Sequence, residues 1–302
     1  MKVVFLGTSE YAVVVLQRLA GSDFRPGLVV TPPDRPQGRG RRLTPPPAAT
    51  AARELGLELL QTESVNNDDA MERVRAADPE VGLVCAFGQL IRDPLLSELE
   101  LLNVHPSLLP RWRGAAPIER AIMAGDAETG VTIMRVTEGL DSGPIALQES
   151  VAISEGDDFG ALAERLAKLG GELAVRALEL RRDGGLALTE QEDSAATYAD
   201  KIAPEERRLN PGRPAVELAR TVRALTPRVG AYIELEGGER LGVCAAEPEQ
   251  GALRPGEIEA RDGVLRLGCR EGVLRMTVVQ PPGKRPMTAD AYLRGHPVPR
   301  LP

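Results

Sequence analysis

The sequence predicts an α/β protein: a doubly wound, mostly parallel sheet followed by a small C-terminal β-barrel. Three observations predict it. Short apolar runs alternate with helical spacing over residues 1–190, the pattern of strand–helix–strand crossovers. Asn103, His105 and Asp141 fall at or beyond the ends of such runs, where open sheets place their ligands. After Thr189 helical signals give way to short strands broken by Gly and Pro.

Residues 2–7 form an apolar run closed by Gly7, a buried parallel strand with a tight turn at its end. Thr8 and Ser9 are suited to cap the next helix, whose Ala12, Val15, Leu16 and Leu19 keep helical spacing. Further strands follow at residues 27–31, 57–61 and 81–87, separated by helices at 47–55 and 68–77. A short strand at 101–104 delivers His105, and the alternating run 129–137 places the Asp141 turn at its end. Residues 158–182 read as a long amphipathic helix with Leu162, Leu166, Leu169 and Leu173 on one stripe. Strands at 231–235, 240–245, 263–267 and 273–279 carry the barrel. The expected division is therefore a catalytic domain at 1–190, a linker at 191–204 and the barrel at 205–302.

The Pro/Gly/Arg segment 31–47 interrupts the first domain. Its prolines and glycines argue against regular structure. Arg39, Arg41 and Arg42 within it suit either a solvated loop or one that follows a phosphate backbone.

Composition narrows the functions. The net charge of −7 argues against wholesale nucleic-acid binding. The distribution is uneven: from Pro204 onward 16 basic and 13 acidic residues give +3, and residues 1–203 carry 21 and 31, or −10. A mildly basic C-terminal part is compatible with an RNA contact. Cys85, Cys244 and Cys269 are few and scattered, without metal-ligand spacing, so no metal is expected and Cys85 reads as a small buried hydrophobe. The opening apolar run is too short for a signal peptide, and no run is long enough to cross a bilayer, which points to the cytoplasm. The stretch Gly7-Thr8-Ser9-Glu10 lacks the three-glycine spacing of a dinucleotide site. No phosphate-binding GxxxxGK[ST] loop or GxSxG elbow is present.

Asn103, His105 and Asp141 combine a neutral hydrogen-bond donor, a group that titrates near neutrality and an anion. Acyl transfer without a covalent intermediate needs those three parts. The bland alternative is a capping Asn, a satisfied polar His and an Asp that merely opens an Asp-Ser-Gly turn. Placement at strand ends favours a site. The apolar strand end at Phe87, Gly88, Gln89 and Ile91 suits a flat heterocycle.

The run Asn103-Val104-His105-Pro106-Ser107-Leu108-Leu109-Pro110, with Asp141 at a later strand end, resembles the 10-formyltetrahydrofolate-dependent formyltransferases. Residues 108–118, 125–134 and 139–143, the opening Phe5-Leu6-Gly7-Thr8, the loop 33–40 and residues 281–287 are similar to the branch of that family that acts on charged tRNA. Residues 226–230 lack the tryptophan-rich pattern of that branch.

The resemblance implies a Rossmann-like formyltransferase domain with an OB-like barrel. It implies an enzyme that moves a formyl group from 10-formyltetrahydrofolate to the amine of initiator methionyl-tRNA, acting as a monomer. Asn103 and His105 would steady the formyl oxygen, and Asp141 would hold His105 and help move the proton. Folate would lie against Ser107, Leu108, Leu109 and Pro110, with Phe87, Gly88, Gln89 and Ile91 on its pterin side. Arg39, Arg41 and Arg42 would approach the acceptor stem, Arg39 first. The nearest rival is a formyltransferase for an amino sugar nucleotide. A glycinamide ribonucleotide formyltransferase, a formylfolate hydrolase and a non-catalytic tRNA- or folate-binding protein are further alternatives.

Overall fold

Val3–Gly7 forms strand β1, buried along its whole length and paired on both edges, as a central strand covered on both faces is. In the computed structural model, which describes residues 1–37 and 40–302, it lies between β2 (Leu28–Thr31) and β6 (Val81–Cys85), parallel to both. The helix α1 (Glu10–Ala20) buries Ala12, Val15, Leu16 and Leu19, the stripe its spacing predicts. At Gly7, where the chain turns from β1 into α1, a Cβ would lie 2.5 Å from the Phe5 ring and 3.0 Å from Ala12, so close packing selects glycine there. One local expectation needs correction. Ser9 occupies the N-cap without a side-chain cap bond, while the Thr8 hydroxyl donates to the Phe87 carbonyl at 2.6 Å. That bond ties the first turn to the segment leaving β6.

Two short strands, β3 (Arg35–Gln37) and β4 (Arg42–Thr44), pair antiparallel within the segment expected to lack regular structure. Proline is tolerated there because a two-stranded ribbon has outward edges that need no N–H. The next elements are α2 (Pro47–Glu54), β5 (Glu58–Gln61) and α3 (Asp68–Ala76). α4 (Leu95–Glu98), β7 (Leu101–His105) and β8 (Arg113–Gly114) come after β6. Helix α5 (Pro117–Ala124) precedes β9 (Glu128–Arg135) and β10 (Ile145–Ala152), and α6 (Phe159–Arg182) and β11 (Tyr198–Ala199) follow. The main sheet has seven strands in the order β10-β9-β7-β6-β1-β2-β5. β5, β2, β1, β6 and β7 run parallel and β9 runs antiparallel to β7. β6 stops at Cys85 rather than continuing to Phe87, because Ala86 takes φ 45° and turns the chain away.

Contacts divide the chain into two compact units. The first comprises Met1–Gly114, Thr129–Ala152 and Ala163–Tyr198; the second comprises Ala115–Glu128, Ile153–Leu162 and Ala199–Pro302. In the first, Gly170 and Gly171 of α6 pack closely against their neighbours: a Cβ at Gly170 would lie 2.8 Å from Val104, and one at Gly171 2.9 Å from Arg18.

The second unit adds α7 (Ala215–Leu225), β12 (Ala231–Glu234), β13 (Arg240–Glu249) and β14 (Ile258–Arg261). β15 (Val264–Gly268), β16 (Val273–Gln280), β17 (Met287–Thr288) and α8 (Ala289–Leu293) complete it. Its antiparallel sheet runs β12-β13-β16-β15-β14, with β17 on β16, and is barrel-like. Register shifts between Val243 and Ala246 bend β13. Leu218, Val222 and Leu225 of α7 share a core with Ile233, Leu241 and Met276.

Candidate active site

β7 carries two of the three candidate catalytic residues. Its side chains alternate between sheet faces, so Asn103 and His105 share one face. The His105 ring is almost wholly buried, and its Nε2 lies 2.9 Å from the Trp112 carbonyl oxygen. A carbonyl only accepts, so Nε2 carries hydrogen and Nδ1 is the nitrogen left to exchange a proton. Nδ1 faces Asp141 Oδ2 at 3.6 Å. The same Oδ2 accepts the Gly114 N–H at 2.9 Å, and Oδ1 lies 3.4 Å from the Asn103 Nδ2 donor. The structure thus brings Asn103, His105 and Asp141 together around one carboxylate. The contacts at 3.4 and 3.6 Å are loose, as catalytic contacts often are before substrate binds.

The backbone around this group is tightly specified. Trp112 takes φ 63°, a left-handed backbone that a bulky residue adopts only when neighbours hold it, and Asp141 takes φ 46°, the same region, which Asp tolerates better. Trp112 donates its N–H to Thr197 Oγ1 at 2.9 Å, and Arg113 donates its N–H to the Thr197 carbonyl at 2.9 Å. At Gly143 a Cβ would fall 1.9 Å from the Arg135 carbonyl oxygen, so the turn closes too tightly for any side chain. Gln191 Nε2 donates to the carbonyls of Asp141 and Gly143 at 2.9 and 2.7 Å. Its Oε1 accepts from Arg113 Nε and Nη2. Residues 191–198 belong to the first unit and place side chains at this group. Arg113 lies within the 108–118 run, though nothing in the sequence gives it this role, and no periodicity or motif singles out Gln191 or Thr197.

The segments predicted to hold folate leave the ends of β6 and β7, neighbouring parallel strands, and so emerge at one edge of the sheet. Phe87, Ile91 and Leu109 are buried and apolar, Leu108 and Pro110 are half-buried, and Gly88 takes φ 77°. Ser107 and Gln89 spend their side chains inside the protein. The Ser107 hydroxyl donates to the Arg111 carbonyl at 2.6 Å. The Gln89 amide donates to the Thr62 carbonyl and accepts the Val65 N–H, both at 2.8 Å. Thr132 Oγ1 accepts the Leu109 N–H and donates to the Ser107 carbonyl, and Gln148 Nε2 donates to the Leu109 carbonyl. No motif in the sequence announces this bracing from β9 and β10. Ser107 and Gln89 therefore shape the rim through bonds that stay within the protein.

Of the loop arginines, Arg41 and Arg42 are exposed, Arg42 on the β3–β4 ribbon, and Arg39 lies outside the described residues. Among the described residues no cluster of His, Cys, Asp and Glu has the makings of a metal site. No helix of the described residues is long and apolar enough to cross a membrane. Burial pushes the Cys85 thiol well above its usual range, which leaves it protonated and inert.

Residues 1–178 match the family described as Formyl transferase, and residues 201–297 match Formyl transferase, C-terminal domain. The methionyl-tRNA formyltransferase of Halorhodospira halophila (strain DSM 244 / SL1) is 43% identical over 301 residues, 97% of this chain and 96% of that one. The methionyl-tRNA formyltransferase of Methylobacterium nodulans is 42% identical over 300 residues, with 98% and 96% covered. Among solved structures, the N-formyltransferase of Helicobacter canadensis, in complex with folinic acid and dTDP-3-aminofucose, superposes with a TM-score of 0.67. It is 15% identical, with 91% of this chain and 98% of that one covered, a likeness of fold alone.

Proposed function

The chain belongs to the formyl transferase family, and from that premise we propose that it transfers the formyl group of 10-formyltetrahydrofolate to the amine of initiator methionyl-tRNA. Relatives above 40% identity over nearly the whole chain support this acceptor. The observation that carries the chemistry is the gathering of Asn103 Nδ2 and His105 Nδ1 about the Asp141 carboxylate at the carboxyl edge of the sheet.

The residues present fit the folate. Leu108 and Pro110 are half-buried and Gly88 exposed, backed by the buried Phe87, Ile91 and Leu109, an apolar rim that suits a flat heterocycle, and the site beside it offers donors rather than a nucleophile. When bound, the folate supplies a formyl group already activated on nitrogen, so the protein need only orient it and manage charge and protons. Asn103 Nδ2 donates to the formyl oxygen as the amine adds. His105, with Nε2 committed to Trp112, donates there through Nδ1 when that atom is protonated. A single donor of this kind is worth about 10²–10³ in rate in other acyl-transfer sites. Asp141, anchored by Gly114 N–H, faces Nδ1 as its counter-charge, favours the protonated ring and helps move the proton that the amine releases. That proton ends on the departing folate nitrogen.

Arg39, Arg41 and Arg42 would grip the acceptor stem through its phosphates, and the mildly basic C-terminal part would add contacts to the tRNA body. The same reading places the chain in the cytoplasm as a monomer.

The test offers 10-formyltetrahydrofolate with charged initiator tRNA, glycinamide ribonucleotide or a 4-amino sugar nucleotide, and follows formyl loss and its acceptor. Formylated methionyl-tRNA is expected. Transfer only to the amino sugar or to glycinamide ribonucleotide overturns the acceptor, and loss to water alone overturns transfer.

A further inference from the structure

We propose that residues 191–197 form a positioning strap that sets the separation between His105 and Asp141, with Gln191 holding the Asp141 turn and Thr197 holding the anchor of His105. The inference rests on the assignment of those two residues to the reaction.

The bonds to the Asp141 turn run through the Gln191 amide. Its oxygen faces Arg113 Nε at 3.1 Å and Nη2 at 2.9 Å, and its nitrogen faces two carbonyls. A guanidinium only donates and a carbonyl only accepts, so the orientation of this amide is settled by its partners. The two carbonyls, of Asp141 and Gly143, belong to the turn whose carboxylate faces His105. Asp141 sits at φ 46°, a left-handed state open to Asp, and the two amide bonds fix the turn in it.

The bonds to His105 run through Trp112. Its carbonyl fixes Nε2, and its own N–H is held by Thr197 Oγ1 at 2.9 Å. The strap is further pinned by the Thr197 N–H donated to the Pro110 carbonyl at 3.2 Å. Arg113 is 3% exposed, and its charged partner Asp193 has a side chain 83% exposed. Stability alone gives little reason to bury a guanidinium against so exposed a carboxylate. Fixing the Gln191 amide between Arg113 and the Asp141 turn does give a reason. His105 and Asp141 are therefore held in mutual register by a third segment, remote in sequence from both.

The test uses Gln191→Glu, which keeps an acceptor for Arg113 and removes both donors to the turn, and Thr197→Val, with Thr197→Ser as its conservative partner. kcat, KM for 10-formyltetrahydrofolate and the denaturation midpoint are measured for each, beside Asp141→Asn. A 1 Å misplacement at a reacting centre costs on the order of 10²-fold. Gln191→Glu is expected to lower kcat about 10- to 100-fold and Thr197→Val about 10-fold, with KM within about threefold and Thr197→Ser close to wild type. If kcat of both stays near wild type while Asp141→Asn is impaired, the strap has no positioning role. A kcat loss that merely follows loss of folded protein, or that Thr197→Ser fails to restore, also overturns it. Normal turnover by Asp141→Asn would instead remove the site assignment beneath it.

Discussion

Replacing Asp141 with Asn tests the chemistry with little disturbance to the fold. Asn tolerates the left-handed backbone at φ 46° as well as Asp does, and the side chain keeps its shape. What changes is charge and hydrogen-bond polarity. The carboxylate lies 3.6 Å from His105 Nδ1, with side-chain exposures of 5% for the His and 17% for the Asp. At an effective dielectric of about 20, a unit charge pair at that separation is worth about 4.6 kcal/mol. Asn keeps a dipole where the charge stood, which offsets part of this; we take about half, about 2.3 kcal/mol, as the working figure when His105 becomes protonated. That corresponds to about 50-fold in kcat, and loss of the whole interaction to about 2,000-fold. Hydrogen bonding adds to the defect. If the Asn oxygen takes the Gly114 N–H, its amide nitrogen faces the Asn103 amide nitrogen, two donors with nothing between them. The assay is formyl transfer to charged initiator tRNA at saturating folate, with KM for folate and the thermal midpoint measured alongside. Both of the latter should remain near wild type. A kcat within about threefold of wild type would refute the reasoning.

Neutralising Arg39, Arg41 and Arg42 together should raise KM for tRNA and flatten its dependence on salt, by about one unit of slope for each phosphate left without its cation. Equal salt slopes before and after would make them ordinary surface residues. Gly143→Ala should cost about 1–3 kcal/mol of stability and most of the activity, because its Cβ meets the Arg135 carbonyl at 1.9 Å and the backbone must yield. Chemical denaturation with activity on the same samples checks this, and an unaltered midpoint would deny the clash. In the second unit, burial lifts the Glu119 carboxyl above its usual range, against the lowering influence of Arg228 and Arg120. The folded state then holds that proton to higher pH than the unfolded one, so stability falls as pH rises from the ordinary carboxylate range through the raised value. Glu119→Gln should raise the denaturation midpoint at pH 7 and change it little at pH 4; an equal effect at both would remove the titration from the account.

The central parallel strands were legible because burial on both faces leaves no polar alternation, as in Val3–Gly7 and Val81–Cys85. Helix α1 was legible for the complementary reason, with one stripe of four buried residues. β10 was not: three half-buried residues are followed by three exposed ones, so it has no period-two alternation to mark it as a strand. The β3–β4 ribbon escapes the sequence because Pro and Gly break central strands but are tolerated at free edges.

The three candidate residues could be picked out by residue type, since few side chains combine an anion, an imidazole and a neutral donor at strand ends, and the fold brings them together. Their supports could not. His105 is anchored by the carbonyl of Trp112, and Asp141 is braced through the carbonyls of Asp141 and Gly143. Carbonyls belong to every residue, so no pattern of residue types announces them. The side chains that reach these carbonyls or their neighbours, Gln191 and Thr197, lie 48 to 85 residues along the chain from their partners. Their identity becomes meaningful only once the chain has closed. A candidate set can therefore be named from a sequence while the geometry that holds it cannot, and substitutions at Gln191 and Thr197, rather than in the candidate residues, probe what folding adds.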